Sequence, residues 1–333
     1  MALAVSESMS NLSSSILHTG LRLLLLLFLV VVFAYVLLSW SPLDPINAYL
    51  GGNVFAVSEA QKSLLVSQLA LDQSVGERLM HWLSGLMQGE LGYSSLYQQP
   101  VSSVIAEQLP LSLLLIGLSW ICSLVFGYLL GLVAAIYRGG WLDRIIQKLA
   151  WLMVCMPSFW LAMLLISLFS IGLSLTPVCC AAPIGMTFMD QSLGSMVLHL
   201  MLPVATLTLV SMAPIMLHTR EKVIDVLQSD YVQYSLAHGD SLSRVVLFHV
   251  IRNSLLPAII LQFATIAELF GGSLIAETVF SFPGLGAGIV KAGLASDTAL
   301  LMGCTLISAL LVFSGNLIAN LLSGYFMLEA NDV

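Results

Sequence analysis

Residues 21–38 read LRLLLLLFLVVVFAYVLL, an apolar run with Arg22 as its one charged residue. A run of about 18 apolar residues is long enough to cross the hydrocarbon core of a bilayer as a helix. The run is longer than the apolar region of a typical secretory signal, and Trp40, Ser41 and Pro42 do not form a small-residue cleavage site. We therefore predict a retained first membrane span.

The composition of the whole chain extends this prediction. Of its 333 residues, 59% are hydrophobic and 9% are charged, whereas soluble domains carry roughly 25% charged residues. So few charges could not cover the surface of a soluble globule of this size. The formal net charge of −7 comes with no basic patch, so the sequence gives no indication of nucleic-acid binding.

The five cysteines predict no disulfide framework. Cys122, Cys155 and Cys304 lie inside apolar stretches, where a cysteine usually acts as a small packing residue. Cys179 and Cys180 are adjacent, and neighbouring cysteines cannot close an ordinary unstrained disulfide. We expect neither a disulfide nor a redox site.

Six apolar stretches are long enough to span a membrane, which predicts an all-α polytopic membrane protein. The predicted spans are 18–40, 108–136, 146–175, 197–218, 255–278 and 299–326. Three regions follow from them: 1–42, the N-terminus and first span; 43–107, an outer segment; and 108–333, a five-helix core. The outer segment shows helical spacing of apolar residues at Leu79–Leu86 and Val101–Leu109, which predicts short surface helices.

The basic residues predict the orientation. With six spans both termini lie on one side, and a cytoplasmic N-terminus places eight of the eleven Lys and Arg residues inside, as the positive-inside rule favours. The inner residues are Arg22, Arg138, Arg144, Lys148, Arg220, Lys222, Arg244 and Arg252, and the outer ones are Lys62, Arg78 and Lys291. Most acidic residues then lie outside: Asp44, Glu59, Asp72, Glu77, Glu90, Glu107, Asp190 and Asp297.

The cytoplasmic segment 220–257 is too long to be a simple connector. Asp225–Ala237 has the pattern of a helix, His238 and Gly239 form a stop, and Ser241 begins a second helix that continues through Arg252. Glycine permits the positive φ that such a bend requires. We predict two helices joined at a glycine turn, which offer a rigid knob to a partner protein.

This segment resembles the coupling-helix signature of the permease subunits of peptide and nickel type ATP-binding-cassette importers. The signature covers DYVQYSLAHG, residues 230–239, followed by Arg244, His249, Arg252, Asn253 and Leu255–Pro257. Four further stretches match the family in its order, so the resemblance covers nearly the whole chain. They are Asp44–Ile46 with Leu50 and Gly51; Leu91, Gly92 and Pro100 with Leu109 and Pro110; PSFWL at 157–161; and ETVFSFPGLG at 277–286.

The chain also departs from the family pattern. His238 stands where a Lys or Arg usually precedes the coupling glycine, and Leu236 stands where an Ala is usual. Asp297 alone remains of the usual Arg-Asp-Tyr-Pro of the last outer loop, Asn320 replaces a common Asp, and the Asp-Pro-Arg tail is missing. These differences predict a docking contact that is weaker than usual or paired differently, and they leave the expected architecture unchanged.

The resemblance implies the type I importer permease fold in a bacterial inner membrane. It implies three kinds of partner besides membrane lipids: a second homologous permease, two ATPase subunits that bind ATP and Mg²⁺, and a periplasmic or lipid-anchored substrate-binding protein. The chain has no GxxxxGK[ST] phosphate loop, so we expect no cofactor and no enzymatic activity of its own. The residues expected to couple to the ATPase are Asp230, Tyr231, Ser235, Ala237, His238, Gly239, Arg244 and Arg252.

The expected substrate depends on fewer residues. Glu268 is a carboxylate deep in the fifth predicted span, where a charged group should face a cavity or a partner. The stretch AELFGGSLIAE, residues 267–277, looks more like the nickel branch of the family, which favours nickel or a metal chelate over the alternative, a dipeptide or oligopeptide. His199, Met153 and Met156 are weaker candidates for the path, and no ligand cluster predicts a tight metal site.

Two other classes compete with the importer. A stand-alone ion-coupled carrier would need more spans, further ionisable residues in the bilayer and an inverted repeat. A membrane enzyme would need a motif such as HExxH or GxSxG, and the sequence has neither.

Overall fold

A computed structural model describes residues 2–40, 66, 73–183, 185, 186 and 188–331. Within these ranges, side chains are described from residue 20 to residue 324. The family match at Asp44–Gly51 lies outside the described residues, as do Lys62, Glu59 and Asp72.

The described residues are almost entirely helical, which confirms the predicted all-α fold class. The helices are α1 (Ala2–Ser39), α2 (Val75–Met87), α3 (Val101–Ile136), α4 (Trp141–Cys155), α5 (Ser158–Leu165), α6 (Leu193–Leu227), α7 (Asp230–Ala237), α8 (Leu242–Val245), α9 (Ile251–Ala264), α10 (Ile266–Val279), α11 (Leu285–Leu294) and α12 (Thr298–Asn331). Two π-helical turns, Ile166–Gly172 and Val246–Val250, continue α5 and α8. A short antiparallel hairpin pairs β1 (Tyr93–Ser94) with β2 (Gln99–Pro100).

Among the described residues, five helical segments are long and apolar enough to cross a membrane, and a bent helix pair makes a sixth if the pair counts as one span. The five are Gly20–Ser39, Val101–Ile136, Leu193–Leu227, Leu242–Ala264 and Thr298–Gly324.

The predicted third span, 146–175, is not one continuous helix in the structure. The structure divides it into α4 and α5 with its π turn, and their axes are bent by 109°. Met156, between them, has an extended backbone with ψ of 125°. Pro157 causes this break, because a proline ring disfavours the helical conformation of the residue before it.

The predicted helix Asp225–Ala237 and the predicted fifth span also differ from the structure. The predicted helix Asp225–Ala237 is in fact the end of α6 followed by α7, with a break at Gln228 and Ser229. The fifth span does not run unbroken over 255–278, because the helix that begins at Leu242 ends at Ala264, and α10 begins after Thr265.

The outer segment contains one of its two predicted surface helices. Leu79–Leu86 lies within α2, which begins at a capping box in which Ser74 and Glu77 exchange hydrogen bonds. Val101–Leu109 is not a separate helix, since α3 continues through Pro110.

The described chain forms two compact units. The first comprises 1–107 and 288–313, and its core includes Val31, Tyr35 and Met302. There Asp297, which is 2% exposed, accepts hydrogen bonds from Ser94 Oγ (2.6 Å) and from the backbone amides of Leu96 and Leu300 (3.0 Å each). Asp297 therefore holds the hairpin to the start of α12.

The second unit comprises 108–287 and 314–333. In it, α3 packs so closely on α6 that a Cβ atom added at Gly127 or Gly131 would lie 2.8 or 2.6 Å from a backbone oxygen of α6. Contrary to expectation, Cys179 and Cys180 form a disulfide here. Cys180 has a φ of +76°, and its amide donates to the carbonyl of Phe280 at 2.7 Å.

Candidate functional site

The candidate site is the segment from α7 to the start of α9, residues 230–253, which we call the coupling segment. Helix α7 ends at Ala237, His238 forms its C-cap, and Gly239 adopts a φ of +95°. The amide of Gly239 donates to the carbonyl of Leu236 (3.1 Å) and that of Asp240 to Ser235 (3.2 Å). The predicted glycine turn and the helix that follows it are present, whereas the first helix is shorter than predicted because it begins at Asp230.

Asp240 ties the two helices of the coupling segment together. Ser235 Oγ on α7 donates to Asp240 Oδ2 at 2.5 Å, and Arg244 Nη1 on α8 donates to Asp240 Oδ1 at 3.2 Å. These hydrogen bonds, that from Ser235 first, lower the pKa of the Asp240 carboxyl, because they favour its charged form. Ser235 and Arg244, both predicted site residues, therefore meet at one carboxylate.

A second contact joins α7 to α9. Asn253 Nδ2 donates to Tyr231 Oη at 3.2 Å and to the carbonyl of His249 at 2.8 Å. The rings of Tyr231 and His249 lie with their centroids 5.9 Å apart. The side chain of Tyr231 is thereby placed across the turn of the coupling segment, although 47% of the residue stays exposed.

His238 occupies the position at which the family usually has a Lys or Arg, and it turns back onto its own helix. Its ring centroid lies 3.9 Å from that of Tyr234, and its Nδ1 lies 3.0 Å from the Tyr234 carbonyl oxygen. Both residues are exposed. The two adjacent rings, tilted by 34°, therefore present an aromatic surface where the resemblance leads us to expect a long basic side chain.

The inner side of the coupling segment is anchored by an apolar cluster. Its buried members come from the ends of α3 and α6, from α7 and from the α8–α9 region: Ala135, Val223, Ile224, Val226, Val232, Val245 and Val250. Burial of apolar side chains is the main source of packing free energy, so this cluster anchors the segment to the ends of α3 and α6. On α7, before the span that begins at Leu242, Tyr231 and Tyr234 stay exposed, at 47% and 66%.

An ion pair that the sequence did not predict lies just before the coupling segment. Arg220 Nε donates to Asp143 Oδ1 at 2.7 Å, and Arg220 Nη2 donates to Oδ2 at 2.9 Å. The side chain of Asp143 is 2% exposed and that of Arg220 is 12% exposed. Asp143 follows the α3–α4 turn, and Arg220 lies in α6 ten positions before Asp230.

The residues predicted for a substrate path are not brought together. Glu268 lies in the first turn of α10 and is exposed. His199 Nδ1 lies 2.8 Å from the carbonyl oxygen of Ser195 on its own helix. Met153 and Met156 pack at the edges of two different apolar clusters. Among the described residues, no group of three or more His, Cys, Asp or Glu could hold a metal ion.

Glu277 in α10 is fully buried, with 0% exposure. Ser112 Oγ donates to its Oε1 at 2.6 Å, and the Ala287 amide donates to its Oε2 at 3.0 Å. A Cβ atom added at Gly284 would collide with the Glu277 carboxylate. The residues between α10 and α11, 280–284, thus fold over Glu277 at the end of α10, and the signal in the sequence was an acid followed by Pro-Gly-Leu-Gly.

Comparison with known proteins gives one family. The model of the family described as "Binding-protein-dependent transport system inner membrane component" matches residues 127–327. This range includes the ion pair, the coupling segment and Glu277.

Similar proteins align over most of the chain. A putative peptide permease protein of Brucella suis is 32% identical over 306 residues, which cover 92% of this chain and 95% of the relative. The oligopeptide transport system permease protein AppB of Bacillus subtilis is 30% identical and covers 88% and 91%. The glutathione transport system permease protein GsiC of Escherichia coli is 33% identical and covers 78% and 80%. None of these three names refers to nickel, so the expected closeness to the nickel branch is not supported.

Proposed function

The chain belongs to the binding-protein-dependent transport system inner membrane components, the permease subunits of ATP-binding-cassette importers, and we propose that it carries peptides. The proposal takes the peptide alternative, because the similar proteins are named for peptides, oligopeptides and glutathione. The chain is a membrane subunit and not an enzyme, since the ATPase activity of this family lies in separate subunits.

The coupling segment is the observation that supports an importer subunit driven by a separate ATPase. An apolar cluster anchors it to α3 and α6, and its helix α7 exposes the aromatic side chains of Tyr231 and Tyr234. An exposed apolar patch on a rigid element is typical of a protein interaction site. In our proposal this surface binds an ATPase subunit, and Asp230, Tyr231, Ala237, His238 and Gly239 lie at or beside the contact.

The proposed assembly has this permease, a second homologous permease, two ATPase subunits and an external substrate-binding protein. The distribution of Lys and Arg supports a cytoplasmic coupling segment and two cytoplasmic termini. ATP-driven closure of the ATPase subunits would displace the coupling segment. The spans would then alternate between inward-open and outward-open arrangements around a central path.

An uptake assay tests the substrate class. Proteoliposomes that contain the complete transporter are supplied with binding protein, internal ATP and either radiolabelled glutathione and dipeptides or radiolabelled nickel with and without a chelator. We expect ATP-dependent accumulation of at least one peptide and none of nickel. Accumulation of nickel alone would overturn the peptide proposal, and accumulation of neither would leave it without support.

Gly239 provides the first mutational prediction. Its φ of +95° is unfavourable for any residue with a Cβ atom, and an added Cβ would meet no atom within 4 Å. The variant Gly239→Trp therefore strains the turn by about 1–2 kcal/mol and places a bulky ring on the proposed contact surface. We expect ATP-dependent uptake to fall to background while the protein remains inserted in the membrane, as measured by uptake and by immunoblotting of membranes.

Gly89→Trp is the matched control. Gly89 ends α2 with a φ of +84° and also has open space around its added Cβ. It carries the same kind of backbone strain away from the coupling segment, so uptake should stay close to that of the wild type. Full uptake by Gly239→Trp would contradict the docking role.

Glu268 remains a proposed part of the substrate path. Its side chain is exposed in the first turn of α10, four residues after the span that ends at Ala264, and a carboxylate at such a place should face a cavity or a partner rather than lipid. We expect Glu268→Gln to lower the initial rate of peptide uptake several-fold more than it lowers the amount of protein in the membrane.

The control for Glu268 is Glu107→Gln, which neutralises an exposed carboxylate in the first turns of α3. This variant should transport at the wild-type rate. If Glu268→Gln instead loses uptake and membrane accumulation in equal proportion, the carboxylate has a folding role.

A further inference from the structure

Asp143 and Arg220 form a bidentate ion pair that connects the start of α4 rigidly to α6. Two parallel hydrogen bonds of 2.7 and 2.9 Å join the guanidinium fork to the carboxylate. The carboxylate also accepts from the Gly139 amide (2.8 Å) and from Gln147 Nε2 (2.7 Å). Such a bidentate pair fixes orientation as well as distance, and here both partners are largely buried.

Close backbone packing between α3 and α6 also fixes the position of Arg220. A Cβ atom added at Gly131 on α3 would lie 2.6 Å from the Met216 carbonyl oxygen and 3.2 Å from the Arg220 amide. Ala134, Ile146 and Met216 pack beside it in one buried cluster. Arg220 is therefore held both through its backbone and through its side chain, next to the α3–α4 turn.

Further hydrogen bonds connect α3 to α9. Tyr128 Oη and Ser254 Oγ lie 2.8 Å apart, and Ser254 Oγ donates to the Val250 carbonyl at 2.7 Å. The helix that leads into the coupling segment and the helix that leads out of it are thus both joined to α3.

Stability alone is a poor explanation for the ion pair. Burial of two charges costs hydration free energy, and replacement of such a pair by apolar residues is often neutral or stabilising. The pair fixes the position and orientation of α4, which begins at Trp141, relative to α6, which leads into α7.

We propose that Asp143 and Arg220 are positioning residues that make the α3–α4 turn and the coupling segment move as one body. A displacement of the coupling segment by the ATPase then reaches α3 and α4 and is not absorbed by bending of α6. This inference rests on the proposed function and adds to it the contact through which force enters the spans.

The test measures peptide uptake and ATP hydrolysis in the same proteoliposomes of the complete transporter. Arg220→Lys keeps the charge and loses the bidentate fork, and Asp143→Asn keeps the shape and loses the charge. For both variants we expect assembly with the ATPase subunits and hydrolysis close to wild type, with about tenfold less peptide transported per ATP, the size of a typical coupling between sites. The double variant should lose no more than either single variant, since interacting positions are non-additive.

Glu221→Gln is the matched control, because Glu221 is the exposed second partner of Arg220, and its uptake per ATP should be unchanged. If Asp143→Asn fails to accumulate, Gln147→Leu, which removes one donor to the carboxylate, should still lower uptake per ATP. Wild-type uptake per ATP in Arg220→Lys and in either Asp143→Asn or Gln147→Leu would overturn the inference. Failure of the proposed function is a different result: no ATP-dependent peptide uptake by the wild type.

Discussion

Gly131→Leu is expected to remove most of the folded protein from the membrane. The added Cβ would lie 2.6 Å from the Met216 carbonyl oxygen and 2.8 Å from Thr219 Cβ, so α3 and α6 would have to separate. Overpacking of a tight interior typically costs up to about 3 kcal/mol, and here backbone atoms block relaxation. The measurement is the amount of monodisperse protein recovered from membranes in mild detergent.

The matched control lies on the same helix. A Cβ atom added at Gly117 would meet nothing within 4 Å, so Gly117→Leu should be recovered at the wild-type level. Both changes raise helix propensity and hydrophobicity equally, and only the close approach to α6 differs. Equal recovery of the two variants would show that the α3–α6 contact does not determine stability.

Glu277→Ala is expected to have the second largest effect. The change removes the acceptor for Ser112 Oγ and for the Ala287 amide. Each buried donor left without a partner costs on the order of 1–3 kcal/mol. We expect a lower melting temperature of the purified protein and faster proteolysis within residues 280–287, the loop that Glu277 holds.

Two further variants show whether the effect of Glu277→Ala comes from the lost hydrogen-bond acceptor. Glu277→Gln keeps one oxygen acceptor and nearly the same volume, so it should recover part of the lost stability. Glu107→Ala removes an exposed carboxylate and should leave both melting and proteolysis unchanged. If Glu277→Ala melts at the wild-type temperature, the buried carboxylate does not hold the loop.

The sequence predicted the parts of the fold that depend on hydropathy and on local turn chemistry. Apolar length revealed the spans, and the glycine after α7 marked the turn, because only a positive φ closes that helix end in this way. The same reasoning failed at Pro157, since a proline inside an apolar run can be tolerated in a span or can break it. Tertiary contacts decide between the two outcomes.

The contacts that position the site were harder to predict. Asp143 and Arg220 are 77 residues apart, and no local pattern pairs them. The spacing Gly127-x-x-x-Gly131 was a usable signal for close helix packing, although it does not name the partner helix. For substrate, the expectation relied on Glu268, while the similar proteins favour peptides.

The break at Pro157 has a consequence for the surrounding lipid. Helix α4 has 15 residues and is therefore about 22 Å long at 1.5 Å per residue, and the arm after the 109° bend is no longer. A hydrocarbon core of about 30 Å is thicker than either arm. Bilayer thinning, or headgroups drawn inward beside α4, would relieve this mismatch, so acyl-chain length becomes a physical variable for this part of the protein.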